Sequence, residues 1–187
     1  MLREPTGWQK ILSEPGSQRL FFALWPDTRI REQLAGIRDR LPAHGGRPTH
    51  IQDLHITLNF LGQVGPDRYD CLVEAAGRVR TPPFSLLIDS VGYWRRPQLL
   101  WSGTSRVPAE LEGLVRTLGN ELKGCGFKPE TRTFRPHVTL ARKTGTATAC
   151  QLEKGIAWDV KAFSLITSDS GKKLPRYRVL KKWPLGL

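Results

Sequence analysis

Two short segments of this 187-residue chain carry one pattern. His55-Ile56-Thr57-Leu58 and His137-Val138-Thr139-Leu140 both read His-x-Thr-Leu with a β-branched residue at x, and their histidines lie 82 residues apart. In a strand, residues i and i+2 point to one face, so each His would project beside its Thr while the residues between turn to a core. Two such strands side by side would surround one cavity with two imidazoles and two hydroxyls. An imidazole titrates near neutral pH and can serve as acid or base. A threonine hydroxyl can donate a hydrogen bond to a phosphate oxygen. Together these groups suffice for in-line phosphoryl transfer without a metal.

A lone His-x-Thr is ordinarily a satisfied, half-buried histidine. Two copies matching over four positions, each after a strand–helix stretch of similar plan, point instead to chemistry and to an internal duplication. The remaining histidines, His44 and His50, lie in or beside a Gly/Pro loop and are expected to face solvent. A zinc centre would need three or four ligands at regular spacing, which these histidines and cysteines do not supply, so neither metal nor cofactor is expected.

The elements that must position the motifs follow from periodicity. Arg19–Leu24 is an apolar strand ended by Pro26, and Asp27 caps a helix from Thr28 to about Leu41. His55–Phe60 alternates as a strand up to Gly62. Pro66 opens a helix to about Val79. Phe84–Asp89 and Gln98–Ser102 read as strands around a turn, and Pro108 starts a helix to Lys123. Phe134–Ala141 is a strand, and after a Thr/Gly/Ala loop Val160–Thr167 and Tyr177–Lys182 close the pattern. No Gly-rich phosphate loop accompanies these elements, which disfavours a doubly wound nucleotide fold and leaves an α+β fold. Residues 1–18 read as a flexible N-terminal extension without the apolar centre of a secretory signal, and 19–187 as a single domain.

Charge adds a partner. The net charge of +12 and pI of about 10.2 favour a polyanion through counterion release, although a basic solvated surface alone would look similar. No apolar run is long enough for a membrane span. Cys71, Cys125 and Cys150 are odd in number and scattered, and are expected as free thiols in a reducing cytoplasm.

With these motifs the chain resembles the 2H phosphoesterases, and within them the bacterial and archaeal RNA 2′,3′-cyclic phosphodiesterases, historically called 2′-5′ RNA ligases. The resemblance spans roughly Arg19 to Leu185 and includes RLFFALWPD, DLHITLNFLG, RPHVTLAR and RYRVLKKWPL. It implies a bilobal fold of two pseudo-symmetric antiparallel-sheet lobes with outer helices and a central cleft. The implied partner is an RNA end bearing a 2′,3′-cyclic phosphate, opened to a 2′-phosphomonoester. Apart from the resemblance, a cytoplasmic monomer with no membrane attachment is expected. By the same resemblance His55 is the proton donor and His137 the acceptor. Thr57, Thr139 and Arg142 then hold the phosphate. Reverse joining of RNA through a 2′-5′ bond, hydrolysis of small cyclic nucleotides, and RNA binding without turnover remain alternatives.

Overall fold

The apolar run before Pro26 forms β1 (Gln18–Leu24), whose side chains from Leu20 to Leu24 are all buried. The computed structural model describes residues 16–41, 46–145, 149–169 and 174–186. Asp27 caps α1 (Thr28–Arg40) as expected, its carboxylate accepting from the Ile30 N–H at 2.9 Å. A two-residue strand, β2 (Arg47–Pro48), precedes β3 (Ile56–Val64), the strand of the first motif. Then follow α2 (Tyr69–Arg78), β4 (Phe84–Trp94), β5 (Leu99–Gly103) and α3 (Ala109–Lys123). The second motif opens β6 (His137–Arg142), and β7 (Cys150–Val160), β8 (Ala162–Ser168) and β9 (Tyr177–Pro184) complete the chain.

All strands join one antiparallel sheet in the order β7-β4-β5-β6-β3-β1-β8-β9, with β2 attached to β6. Its centre is thin. β3 and β6 are joined, among the described residues, by the single pair Ile56 and Val138, whereas their outer neighbours pair over long registers. The sheet is therefore two four-stranded halves, each with a His-x-Thr strand at its inner edge. This is the α+β, two-lobed arrangement expected.

The residues between and after the catalytic-type positions are buried as the strand period requires. Ile56, Leu58, Val138 and Leu140 join Leu114, Leu118 and Leu122 of α3 in one apolar cluster. Truncating a residue of this kind to alanine typically costs about 2–5 kcal/mol. On the opposite face of β1, Phe21 and Ala23 form a smaller cluster with Ile166, Trp25 and Tyr177.

Several boundaries differ from expectation. β3 runs past Gly62, which adopts φ +74° beside a register shift against β1, so that glycine bends the strand without ending it. The helix expected from Pro66 begins as a 3₁₀ turn, Pro66–Arg68. β6 starts three residues late, since Pro136 has no N–H to give a neighbour. The strand expected over Val160–Thr167 is divided, Val160 ending β7 and Ala162 opening β8. The rest of β7 carries no strand signal because its Glu-Lys-Gly centre lacks apolar alternation, a permissible pattern at an open sheet edge. Of the N-terminal extension only positions 16–18 are described, and Gln18 already pairs with Val64.

The cysteine expectation is corrected. Cys71 on α2 and Cys125 just after α3 form a disulfide across 54 residues of sequence, and only the exposed Cys150 remains free. Sequence spacing gave no hint because the pairing follows from the packing of two distant helices. No helix among the described residues is long and apolar enough to cross a membrane.

Candidate active site

The pair Ile56–Val138 sets the geometry. One step along each antiparallel strand brings Thr57 opposite His137, and one step the other way brings His55 opposite Thr139. All four side chains thus share the face opposite the main core, where each is partly accessible.

Both imidazoles are held alike. His55 Nδ1 donates to the Asp53 carbonyl at 2.6 Å, and His137 Nδ1 donates to the Arg135 carbonyl at 2.8 Å. A carbonyl can only accept, so in each neutral ring the proton sits on Nδ1 and Nε2 keeps its lone pair. Nε2 is then the atom free to take or give a proton. In His55 it lies 3.2 Å from Thr57 Oγ1, whose hydroxyl can donate to it until an anion enters.

The surroundings of the rings differ. His55 stacks on Trp25 at 5.6 Å, meets Tyr177 edge-on at 5.0 Å and contacts Phe21 at 4.9 Å. Burial under these rings pushes its pKa down to about 4, with smaller downward pushes from Arg142 and His137 and an opposing effect from Asp53. His137 is also lowered by burial and by Arg142. It meets the edge of Trp94 at 4.6 Å, and Trp94 packs on Trp101 at 5.3 Å. Only glycine fits at position 92, since an added Cβ would collide with the Trp101 ring.

Arg142 reaches the site through a strand irregularity. The β5–β6 register passes from Trp101–Thr139 to Leu100–Ala141, leaving Leu140 without a facing partner on β5. One extra residue resets the alternation, returning Arg142 to the face of His137 and Thr139. Its charge acts on both histidines.

Asp53 was not singled out from sequence. Its buried carboxylate accepts from the backbone N–H groups of Arg176 and Tyr177 at 3.0–3.2 Å, while its carbonyl anchors His55. One residue thereby ties the start of β9, and the Tyr177 ring, to the imidazole. The available signal was an acidic residue two positions before the first histidine. Trp25, Trp94 and Tyr177 were likewise missed, because aromatics that wall a site look in sequence like core. His50 caps a 3₁₀ turn by accepting from the Gln52 N–H at 3.3 Å, and His44 lies outside the described residues. Among the described residues no three of His, Cys, Asp or Glu gather as a metal-binding group.

The arrangement can bind an anion between two hydroxyls and a guanidinium and exchange protons at two Nε2 atoms. Known proteins resemble the chain as a whole. The family model for LigT like Phosphoesterase matches residues 24–101 and 103–177, one motif in each segment. An Escherichia coli K12 protein named RNA 2′,3′-cyclic phosphodiesterase is 37% identical over 177 residues, covering 93% of this chain and 99% of that protein. A Thermus thermophilus protein of the same name is 30% identical, covering 89% and 90%. The crystal structure of E. coli LigT in apo form superposes with a TM-score of 0.84 at 35% identity, covering 92% of this chain and 99% of that one. Its complex with 3′-AMP gives 0.83 at 35% identity, with 90% and 98% covered.

Proposed function

The chain belongs to the LigT-like phosphoesterase family, and from that premise we propose that it opens the 2′,3′-cyclic phosphate at an RNA end to a 2′-phosphomonoester. The observation that carries this reading is the matched anchoring of His55 and His137 on the strands joined at Ile56–Val138, each with Nδ1 tied to the carbonyl two residues back.

In the proposed reaction His137 Nε2 takes a proton from water as the water oxygen bonds to phosphorus. The P–O3′ bond breaks in line, and O3′ takes a proton from His55 Nε2. Thr57 and Thr139 donate to the non-bridging oxygens, and Arg142 offsets the charge growing on them. Afterwards the proton sits on His137, so return to the starting state moves it back to His55 through solvent. With a 5′-hydroxyl in place of water, the same groups acting in the same sense would join two RNAs by a 2′-5′ bond, and the reverse of that step would cleave it.

Protonation order gives the substrate a second task. With His55 at about 4 and His137 also depressed, neither ring is charged in most free molecules at pH 7. A bound phosphodiester anion raises both, which is how His55 would hold a proton to give. The reading takes the enzyme to act as a monomer. The reading assigns the enzyme to the cytoplasm, with RNA ends and no cofactor.

The deciding experiment is product analysis on an oligonucleotide ending in a 2′,3′-cyclic phosphate. A 2′-phosphate is expected. A 3′-phosphate would reverse the bond that breaks, and no turnover would leave the site a binding module.

A further inference from the structure

A groove of about 910 Å³ is continuous with the site, sharing Thr57, His137 and Trp94 with it. Its remaining walls come from β3, from α3 and from the irregular segment between Phe127 and Arg135. A cyclic phosphate with its ribose is smaller than the drug-sized ligands that fill pockets of roughly 300–1,000 Å³, so the groove has room beyond the terminal nucleotide.

Its chemistry is cationic and aromatic. Arg116, Lys128 and Arg135 line it without ion pairs among the described residues. Of its acids, Glu130 is already paired with Arg132, leaving Glu112 as the free carboxylate among the described residues. Phe60 keeps 57% of its surface exposed beside the groove, with Arg19 lying 5.0 Å over its ring. Unpaired cations next to an exposed ring are what unspecific single-strand binding uses, phosphates against the charges and bases on the rings.

We infer that this groove carries the single-stranded RNA leading into the cyclic phosphate, with backbone phosphates against Arg116 and Lys128 and a base stacked on Phe60. The inference rests on the proposed cyclic phosphodiesterase activity and deepens it, making the enzyme selective for polymer ends over mononucleotides. Charge complementarity and continuity with the reacting phosphate favour this strand over a protein partner, which would leave the phosphate pocket unused.

The test compares kcat/KM for a nucleoside 2′,3′-cyclic monophosphate and for a tetranucleotide with the same end, using the full chain, Phe60→Ala, and the double variant Arg116→Ala/Lys128→Ala. The wild type is expected to prefer the tetranucleotide, chiefly through KM. Phe60→Ala should lower the tetranucleotide value by about 5- to 150-fold, the range for one lost base stack. The double variant should lower it too and flatten its log–log salt dependence by about 1.4, or about 0.7 for each lost phosphate contact. Mononucleotide turnover should stay within about twofold, which also reports an intact fold. Equal losses on both substrates, or none on either, would overturn the inference. So would a loss confined to joining an added 5′-hydroxyl strand, which would assign the groove to the other RNA. If neither substrate turns over, the activity reading fails on its own. The groove is then judged by fluorescence anisotropy of a 2′-phosphorylated tetranucleotide, where unchanged affinity in the variants overturns it.

Discussion

Ile56 and Val138 face each other where β3 meets β6, and this antiparallel pair orders the whole site. Both are fully buried, so the residues flanking each must turn the other way, His55 and Thr57 on one strand and His137 and Thr139 on the other. A one-residue slip would send the four polar groups into the core and the aliphatic ones into the cleft, which holds the register firmly.

The first prediction follows from that pairing. His55→Ala and His137→Ala should each lower turnover of the cyclic-phosphate RNA by about 10²–10⁴-fold, the usual range for a lost general acid or base. Circular dichroism should be unchanged, because both rings face the cleft. Near-normal turnover in either variant would sink the paired mechanism.

The pH dependence can be stated with its sign. Turnover needs one proton shared by two imidazoles, so kcat/KM follows the singly protonated free protein. Burial lowers both histidines from the ordinary 6.5, His55 to about 4, so this form is most populated on the acid side of 6.5. The kcat/KM bell should therefore centre below that value and fall as pH rises through it. The profile of kcat should lie at higher pH, since the bound anion raises both rings. His137→Ala should remove the acidic limb and His55→Ala the basic one. A kcat/KM maximum at or above about pH 7.5, with chemistry rate-limiting, would contradict the burial of the pair.

Asp53 is expected to act as a positioning residue. Asp53→Asn keeps the size but loses the charge and one of two acceptor oxygens that serve the Arg176 and Tyr177 N–H groups. Stability should fall by about 1–3 kcal/mol, the cost of a buried donor left unpaired. Because the Asp53 charge holds the His55 pKa up, the His55 titration followed by NMR should move lower in the variant. An unmoved titration with lower melting temperature would reduce Asp53 to a purely structural role.

Metal removal should not matter. Two imidazoles perform the proton transfers that a Lewis acid and its bound water would otherwise support, so activity should persist in excess EDTA. Loss on chelation, restored by one divalent ion, would point to a different mechanism.

The disulfide predicts a thiol count. Without reductant the denatured protein should titrate one thiol, Cys150, and after reduction three. Replacing Cys71 and Cys125 by serine should lower the stability of the oxidised protein by about 2–4 kcal/mol, as expected for opening a loop of this length. Three thiols before reduction would show that the bridge does not form under those conditions.

The sequence by itself determined what is local. A period of two put His with Thr and Ile, Val and Leu with the core, Asp27 marked the start of α1, and the repeated motif named both histidines before any fold was known. These signals survive in one dimension because they depend on residues within a few positions of each other. The tertiary structure decided what depends on distant chain segments. Asp53 gains its role only when β9 brings Arg176 and Tyr177 to it, and Cys71 finds Cys125 only because α2 lies against the end of α3. The depressed pKa of His55 likewise requires Phe21, Trp25 and Tyr177 to converge from two strands and a loop, since desolvation is a property of enclosed volume and not of order along the chain.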